Sequence, residues 1–232
     1  MKKIRKTIFI IILIIFSVSV IYVCEGYNMY KEALEKVSLE DKIKEIQSKK
    51  TYTKIDEMPD IYLNAVLAVE DHRFYEHSGI DIIAICRAIL NDIQTFSFAE
   101  GGSTITQQLA KNIYFTQDKT IQRKVAEVFM AFELEQNLEK NEILELYLNT
   151  SYFGDGYYTV KEAANGYFNK EPKAMNKYES TLLAGIPNAP AIYAPTKNLE
   201  LSKQRQKQVM NKMIKFGYLT KEESIEILKL SE

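Results

Sequence analysis

Three observations predict an all-α fold for this chain. Apolar residues recur at helical spacing along most of its length. Thr104 with Gln107, and Thr220 with Glu223, have the spacing of capping boxes that open helices. Period-two alternation is rare, and its best run, Thr51 to Ile55, is short. The 232 residues give room for one domain of sizeable core plus an appendage, with no internal repeat and no low-complexity tract.

The appendage comes first. Lys2, Lys3, Arg5 and Lys6 precede Thr7 to Cys24, which runs 18 residues without a charge. As a helix this run is about 27 Å long, close to the hydrocarbon thickness of a bilayer. Basic residues before it and acids after it place the N-terminus in the cytosol and the remainder outside. Ile21, Tyr22 and Val23 before Cys24 make a poor cleavage site, so an uncleaved anchor is expected over a signal peptide. Residues 1–24 are therefore expected to be tail and transmembrane anchor, 25–58 a membrane-proximal stalk and linker, and 59–232 the folded body.

Tyr27 to Lys50, with Leu34, Val37, Ile43 and Ile46 among charges, reads as a helical stalk, and Thr51 to Pro59 as an extended linker. Pro59 suits the start of a helix over Asp60 to Asp71. Ile80 to Gln94 is mostly apolar. Thr104 to Asn112 follows its capping box. Thr120 to Leu138 carries an apolar stripe of Ile121, Val125, Val128, Phe129 and Phe132. Lys140 to Asn149, Thr159 to Tyr167 and Glu179 to Ile186 are shorter helices. Leu199 to Phe216 stops at Gly217, a good residue just past a helix end, and Thr220 opens the last helix.

Charge and composition exclude several classes. The chain has 30 basic and 31 acidic residues, and without its four N-terminal cations 26 against 31, the wrong balance for a nucleic-acid binder. Cys24 and Cys86 form no disulfide framework, and two histidines leave a histidine-based metal site improbable.

Four segments carry chemistry. Val69 to Asp81 packs acids, histidines, an arginine, aromatics and a glycine behind an apolar helix. Glu70 falls at the mouth of that buried element, where a carboxylate can serve as a general base, with Phe74 and Tyr75 to exclude water and His72, Arg73 and His77 in reach. The histidines are expected to brace the loop, and Asp71 to accept from backbone amides after it. Gly101 to Asn112 offers glycines for close approach and the uncharged donors and acceptors Ser103, Thr104, Thr106, Gln107 and Gln108. Lys111 shares a helix face with Gln107 and Gln108, where a cation can neutralise a phosphate. In the third segment, Arg123 and Lys124 stand four and three residues before Glu127, with Lys119 nearby. They are either surface ion pairs or a second carboxylate held by cations. In the fourth, Lys140 to Asn149, Ile143, Leu144, Tyr147 and Leu148 make a core face, and structure is the expected role. The loop Tyr152 to Tyr158 is aromatic and glycine-rich, suited to stacking on sugars or to covering the core.

These segments, in this order, resemble the peptidoglycan glycosyltransferases, glycosyltransferase family 51, of the monofunctional membrane-anchored type. Glu70 to Gly79 resembles the first family motif, Gly101 to Asn112 the second, Arg123 to Glu127 the third, Lys140 to Asn149 the fourth, and Arg205 to Met213 a weaker fifth. The resemblance implies a lysozyme-like bilobed α fold with a small membrane-facing lobe. It implies polymerisation of lipid II into glycan strands, with inversion and release of undecaprenyl pyrophosphate. Glu70 matches the general base and Glu127 a second catalytic acid. Substrate contacts are implied at Asp71, Phe74 and His77, at Ser103, Thr104, Gln107, Gln108, Lys111 and Asn112, and at Lys119, Arg123 and Lys124. No cofactor is required; a divalent cation, magnesium or manganese, near Glu127 is compatible with the family. Implied partners are lipid II, the growing lipid-linked strand, the bacterial cytoplasmic membrane and other cell-wall synthesis proteins; no nucleic acid is implied. Lys119 stands where the family commonly has arginine, Gly156 to Val160 is bulkier than usual, and Asn169 replaces a common glycine. A glycan-cleaving enzyme and a weakly active scaffold are the alternatives.

Overall fold

A computed structural model describes residues 2–95, 101–116 and 118–230, and among these every regular element is helical. The anchor and the first half of the stalk form one helix, α1 (Lys2–Lys36). Its apolar run is exposed along its length and is long enough to cross a membrane. Past Cys24 the same helix turns into a packing element. Tyr27 and Tyr30 lie 5.2 and 5.9 Å from the Phe129 ring of α6 (Ile121–Asn137), and the Tyr30 hydroxyl donates to Glu133 at 2.7 Å. Gly26 permits this approach, because a Cβ there would stand 2.6 Å from Val125. The stalk half of α1, continuous with the anchor, is thus docked onto the helix that carries Arg123, Lys124 and Glu127.

The stalk ends in α2 (Leu39–Gln47), capped by Ser38. The expected linker is clipped to α7 (Lys140–Leu148) by side chains. Asn149 accepts from Thr53 N–H and donates to Thr53 C=O, both at 2.8 Å, satisfying an extended residue that has no strand partner. Glu145 accepts from Ile55 N–H at 2.7 Å and from the Tyr52 hydroxyl, and pairs with Lys54. The alternation at Thr51 to Ile55 therefore makes no strand, and a 3₁₀ turn follows at Ile55–Glu57.

Two helix groups form the body. In one, α5 (Ile105–Tyr114) packs between α6 and α7. In the other, α3 (Asp60–Glu70) packs between α9 (Lys177–Leu183) and α11 (Leu199–Lys215). Tyr62, Ile105, Leu109, Met130, Leu134 and Leu144 are among the fully buried side chains of a shared core. Burying each such side chain contributes about 1.5–3 kcal/mol. By contrast, α4 (Ile82–Thr95) leaves Ile82, Ile83 and Leu90 exposed. The remaining helices are α8 (Val160–Phe168), the short α10 (Pro190–Tyr193), which the sequence does not announce, and α12 (Lys221–Lys229). Both expected capping boxes form, at Thr104 with Gln107 and at Thr220 with Glu223.

Asn169 ends α8 in the left-handed conformation, at φ 54°. A glycine suits this position for that reason, and asparagine is among the few other residues that tolerate it. In the aromatic loop, Phe153 is fully buried and Tyr157 packs edge-on against Tyr167, so that part covers the core. Tyr152 and Tyr158 remain exposed, their rings 4.8 Å apart.

Candidate active site

The first two motifs meet end to end. Apolar burial of Tyr62, Ala65, Val66 and Val69 fixes α3 in the core, and the extended backbone of Asp71 stops it. Glu70 is thereby left at the C-terminal end of the helix, on the wall of a cleft of about 410 Å³. Three bonds join the first motif to the start of α5. Asp71 accepts from Ile105 N–H at 3.0 Å, setting a carboxylate at a helix N-terminus. The Thr104 hydroxyl donates to Gly79 C=O at 2.6 Å, and Gln108 Nε2 donates to Glu70 Oε2 at 2.9 Å. The other Glu70 oxygen, Oε1, is buried and accepts no hydrogen bond.

Cations line the same cleft. Lys111, one turn along α5 from Gln107 and Gln108, has its pKa lowered by burial first, with Arg123 and Lys124 lowering it further; Glu127 and Glu70 oppose that shift. It senses both acids of the predicted pair. Across the cleft stand Arg87 of α4 and Arg205, Lys212 and Lys215 of α11. Lys212 Nζ lies 3.5 Å from the Val69 carbonyl, at the C-terminal end of α3, where a cation is favoured.

The predicted residues divide by position. Glu70, Asp71, Ser103, Thr104, Gln108 and Lys111 all line the cleft. Glu127 is 1% exposed and lies behind it. One of its oxygens accepts from Arg123 and the other from Lys124 at 2.8 Å; Lys124 also donates to Ser103 at 2.6 Å, linking this cluster to the cleft wall. Both Glu127 oxygens are thus taken by cations, and a divalent ion brought there would face them at close range. The donor set does not fit such an ion, and among the described residues no cluster of three or more His, Cys, Asp or Glu gathers elsewhere.

Other predicted residues have partners of their own, most of them off the cleft wall. Phe74 is 1% exposed, with Lys140 Nζ over its ring at 4.4 Å, and belongs to the core rather than the cleft wall. Gln107 is buried, its side-chain oxygen accepting from Thr104 N–H. His77 holds Asp71 at 3.0 Å, as the bracing role expects, although Asp71 serves the start of α5 rather than the loop after it. Arg73 pairs with Asp81 at 3.0 Å, whereas His72 stacks on Phe216 at 3.9 Å and both of these rings line the cleft. Burial first, then Arg87, lowers the His72 pKa. Asn112 is half-buried outside the cleft wall, and Lys119 is exposed on the turn before α6.

Arg87, Arg205, Lys212 and Lys215 are not among the predicted substrate contacts, although Arg205 and Lys212 lie in the weaker fifth motif. Spacings of seven and three put the last three on one face of α11. That face is the signal, and it gains meaning only once α11 is known to pack on α3.

An all-α body thus carries an N-terminal helix long and apolar enough to cross a membrane and opens a cleft where one acid meets several cations. The chain belongs to the transglycosylase family, whose model matches residues 39–214. It is 46% identical over 171 residues to penicillin-binding protein 1F of Bacillus subtilis, covering 74% of this chain and 24% of that protein. It is 42% identical over 174 residues to penicillin-binding protein 1A of Neisseria lactamica, covering 75% and 22%. The chain thus spans about a quarter or less of the length of these relatives. A crystal structure of penicillin-binding protein 1A from Haemophilus influenzae aligns over 77% of this chain and 17% of that one, at 24% identity and a TM-score of 0.46, too slight a likeness to add to the family assignment.

Proposed function

We propose that the chain is a peptidoglycan glycosyltransferase that polymerises lipid II at the membrane surface. The observation that carries this reading is the unpartnered Oε1 of Glu70. A buried acceptor without a donor is costly to leave unmade, and a substrate hydroxyl reaching it would supply that donor. Glu70 takes the proton from the acceptor sugar's hydroxyl. The freed oxygen bonds to the anomeric carbon of the donor from the opposite face, and the bond from that carbon to the diphosphate breaks. The electron pair leaves with the diphosphate, so configuration inverts. Lys111 offsets the charge that develops, and the cation face of α11 supplies a further counter-charge for a lipid-linked diphosphate.

The other cleft acids favour transfer over cleavage of glycan. Asp71 is held by His77 and Ile105 N–H. Asp81 lies beside Arg73; burial would raise its pKa, but the Ala84 amide and Arg73 outweigh that and keep it low. Neither is suited to give a proton to a departing sugar, and a departing diphosphate requires none. Lipid tails on both substrates explain the docked anchor, with the N-terminus in the cytosol and the body outside. Growing lipid-linked strands and other cell-wall synthesis proteins are the partners this implies, and no cofactor enters the chemistry derived from these residues.

The test is a lipid II polymerisation assay with the full chain in detergent. Glu70→Gln keeps the shape and removes the basicity. Loss of polymer is expected; undiminished polymer from the variant overturns the assignment, and release of fragments from purified glycan strands by the wild type would replace it with cleavage.

A further inference from the structure

Glu70 is oriented by a side chain that is itself oriented. The Gln108 carboxamide gives its Nε2 to Glu70 at 2.9 Å and accepts at Oε1 from the Tyr147 hydroxyl at 3.2 Å. Tyr147 belongs to α7, is 1% exposed and lies outside the cleft wall. A carboxamide has two orientations that exchange oxygen for nitrogen. Reversed, Gln108 would set its carbonyl oxygen against the Glu70 carboxylate, acceptor to acceptor at hydrogen-bond range. The carboxylate, which can only accept, selects the orientation that turns Nε2 toward it, and the Tyr147 hydroxyl, donating to Oε1, anchors the amide there. It does so from a ring that cannot swing away, because Tyr147 is packed in the core.

Resting on the reading of Glu70 as base, we propose that Tyr147 is a positioning residue. Its hydroxyl holds Gln108 so that one Glu70 oxygen is occupied and only Oε1 remains to accept the sugar proton. Tyr147 touches no substrate. It acts through Gln108, and its removal slows turnover without weakening substrate binding.

The experiment uses the full chain in detergent, labelled with 15N-glutamine, and assigns the Gln108 side-chain signal by its loss in Gln108→Met. In Tyr147→Phe that signal should shift, and its exchange with solvent should rise tenfold or more. Polymerisation kcat should fall about tenfold, with KM for lipid II within twofold. In a Gln108→Met background, Tyr147→Phe should cost nothing further, because residues acting through one network are not additive. Placing 4-aminophenylalanine at position 147 returns a donor to the ring, and should restore both the Gln108 signal and the rate. This replacement also decides the matter if Tyr147→Phe does not fold. An unmoved Gln108 signal overturns the proposal. So does a rate loss that persists in the Gln108→Met background, or a folded 4-amino variant that restores nothing. Absence of polymer from the wild type would instead sink the assigned function, since the Gln108 signal is read without turnover.

Discussion

Glu70 and Glu127 both act on Lys111, each favouring its charged form, and they are built differently. Glu70 has one oxygen bound to a neutral amide and one that is buried and accepts no hydrogen bond. Glu127 has both oxygens bound to cations and almost no exposure. The two acids therefore differ less in burial than in the completeness of their partners, and on the proposed function it is this completeness that separates a reacting acid from a framing one. An acid whose acceptor sites are filled by its own chain has its charge committed to holding that chain together. An acid with one buried oxygen unfilled holds a place for a proton that arrives with the ligand.

The sharpest way to break this contrast is Glu70→Gln. Loss of a positioned general base lowers turnover by about 10²–10⁴-fold. The melting temperature should barely move, since a glutamine in place of Glu70 leaves the core helices untouched. A large drop in melting temperature alongside the rate would show that Glu70 frames the structure as Glu127 does.

Lys111→Met tests the ground between the two acids. Polymerisation should fall by roughly tenfold to a hundredfold, as expected when a charge that stabilises the leaving group is removed. Stability should move the opposite way. Burial lowers the folded-state pKa of this lysine below its unfolded value, so folding disfavours its charged form. The penalty is fully present at neutral pH and disappears as pH rises through the lysine range. Lys111→Met should therefore melt higher than wild type at pH 7, with the gap closing as pH rises toward and above 10. A lower melting temperature at pH 7 would mean that attraction to Glu127 and Glu70 outweighs burial.

Much of this frame is legible in the sequence, and the parts that are not share one cause. Helix existence followed from local periodicity and capping: Thr104 with Gln107 and Thr220 with Glu223 form as their spacing predicts. Glu70, Gln108 and Lys111 converge because an apolar helix ends at one and a capped helix carries the others. What the sequence hides is which side chains the packing consumes. Phe74, Gln107 and His77 are chemically suited to a ligand, yet the core, a helix cap and Asp71 claim them. The face of Arg205, Lys212 and Lys215 becomes a cleft wall only through the approach of α11 to α3, a contact between residues more than 100 positions apart.

Glu127→Gln reverses the pattern expected at Glu70. A neutral amide accepts at one atom and presents an N–H₂ group to a cation at the other. Leaving a buried donor without its acceptor costs about 1–3 kcal/mol. Thermal melting should therefore show a clear loss of stability, with a fall in polymerisation near tenfold, smaller than for Glu70→Gln. Equal loss of rate with unchanged melting would place Glu127 among the reacting groups.

The smallest effect separates the two cations on Glu127. The Arg123 side chain is 13% exposed and that of Lys124 is 44% exposed, although both reach the same carboxylate. A half-exposed pair is screened by water and salt and contributes at most about 1 kcal/mol. In Lys124→Ala, one Glu127 oxygen gains access to solvent and Ser103 loses its donor. Stability should fall by about 0.5–1 kcal/mol at low ionic strength, and by less in 0.5 M salt, where the Debye length is only about 4 Å. Arg123→Ala leaves Glu127 without its better-buried partner, so its larger loss should survive the same salt. Denaturant melts of the two variants at both ionic strengths check this. If salt erases both losses equally, Glu127 is held by surface attraction after all, and its contrast with Glu70 reduces to depth alone.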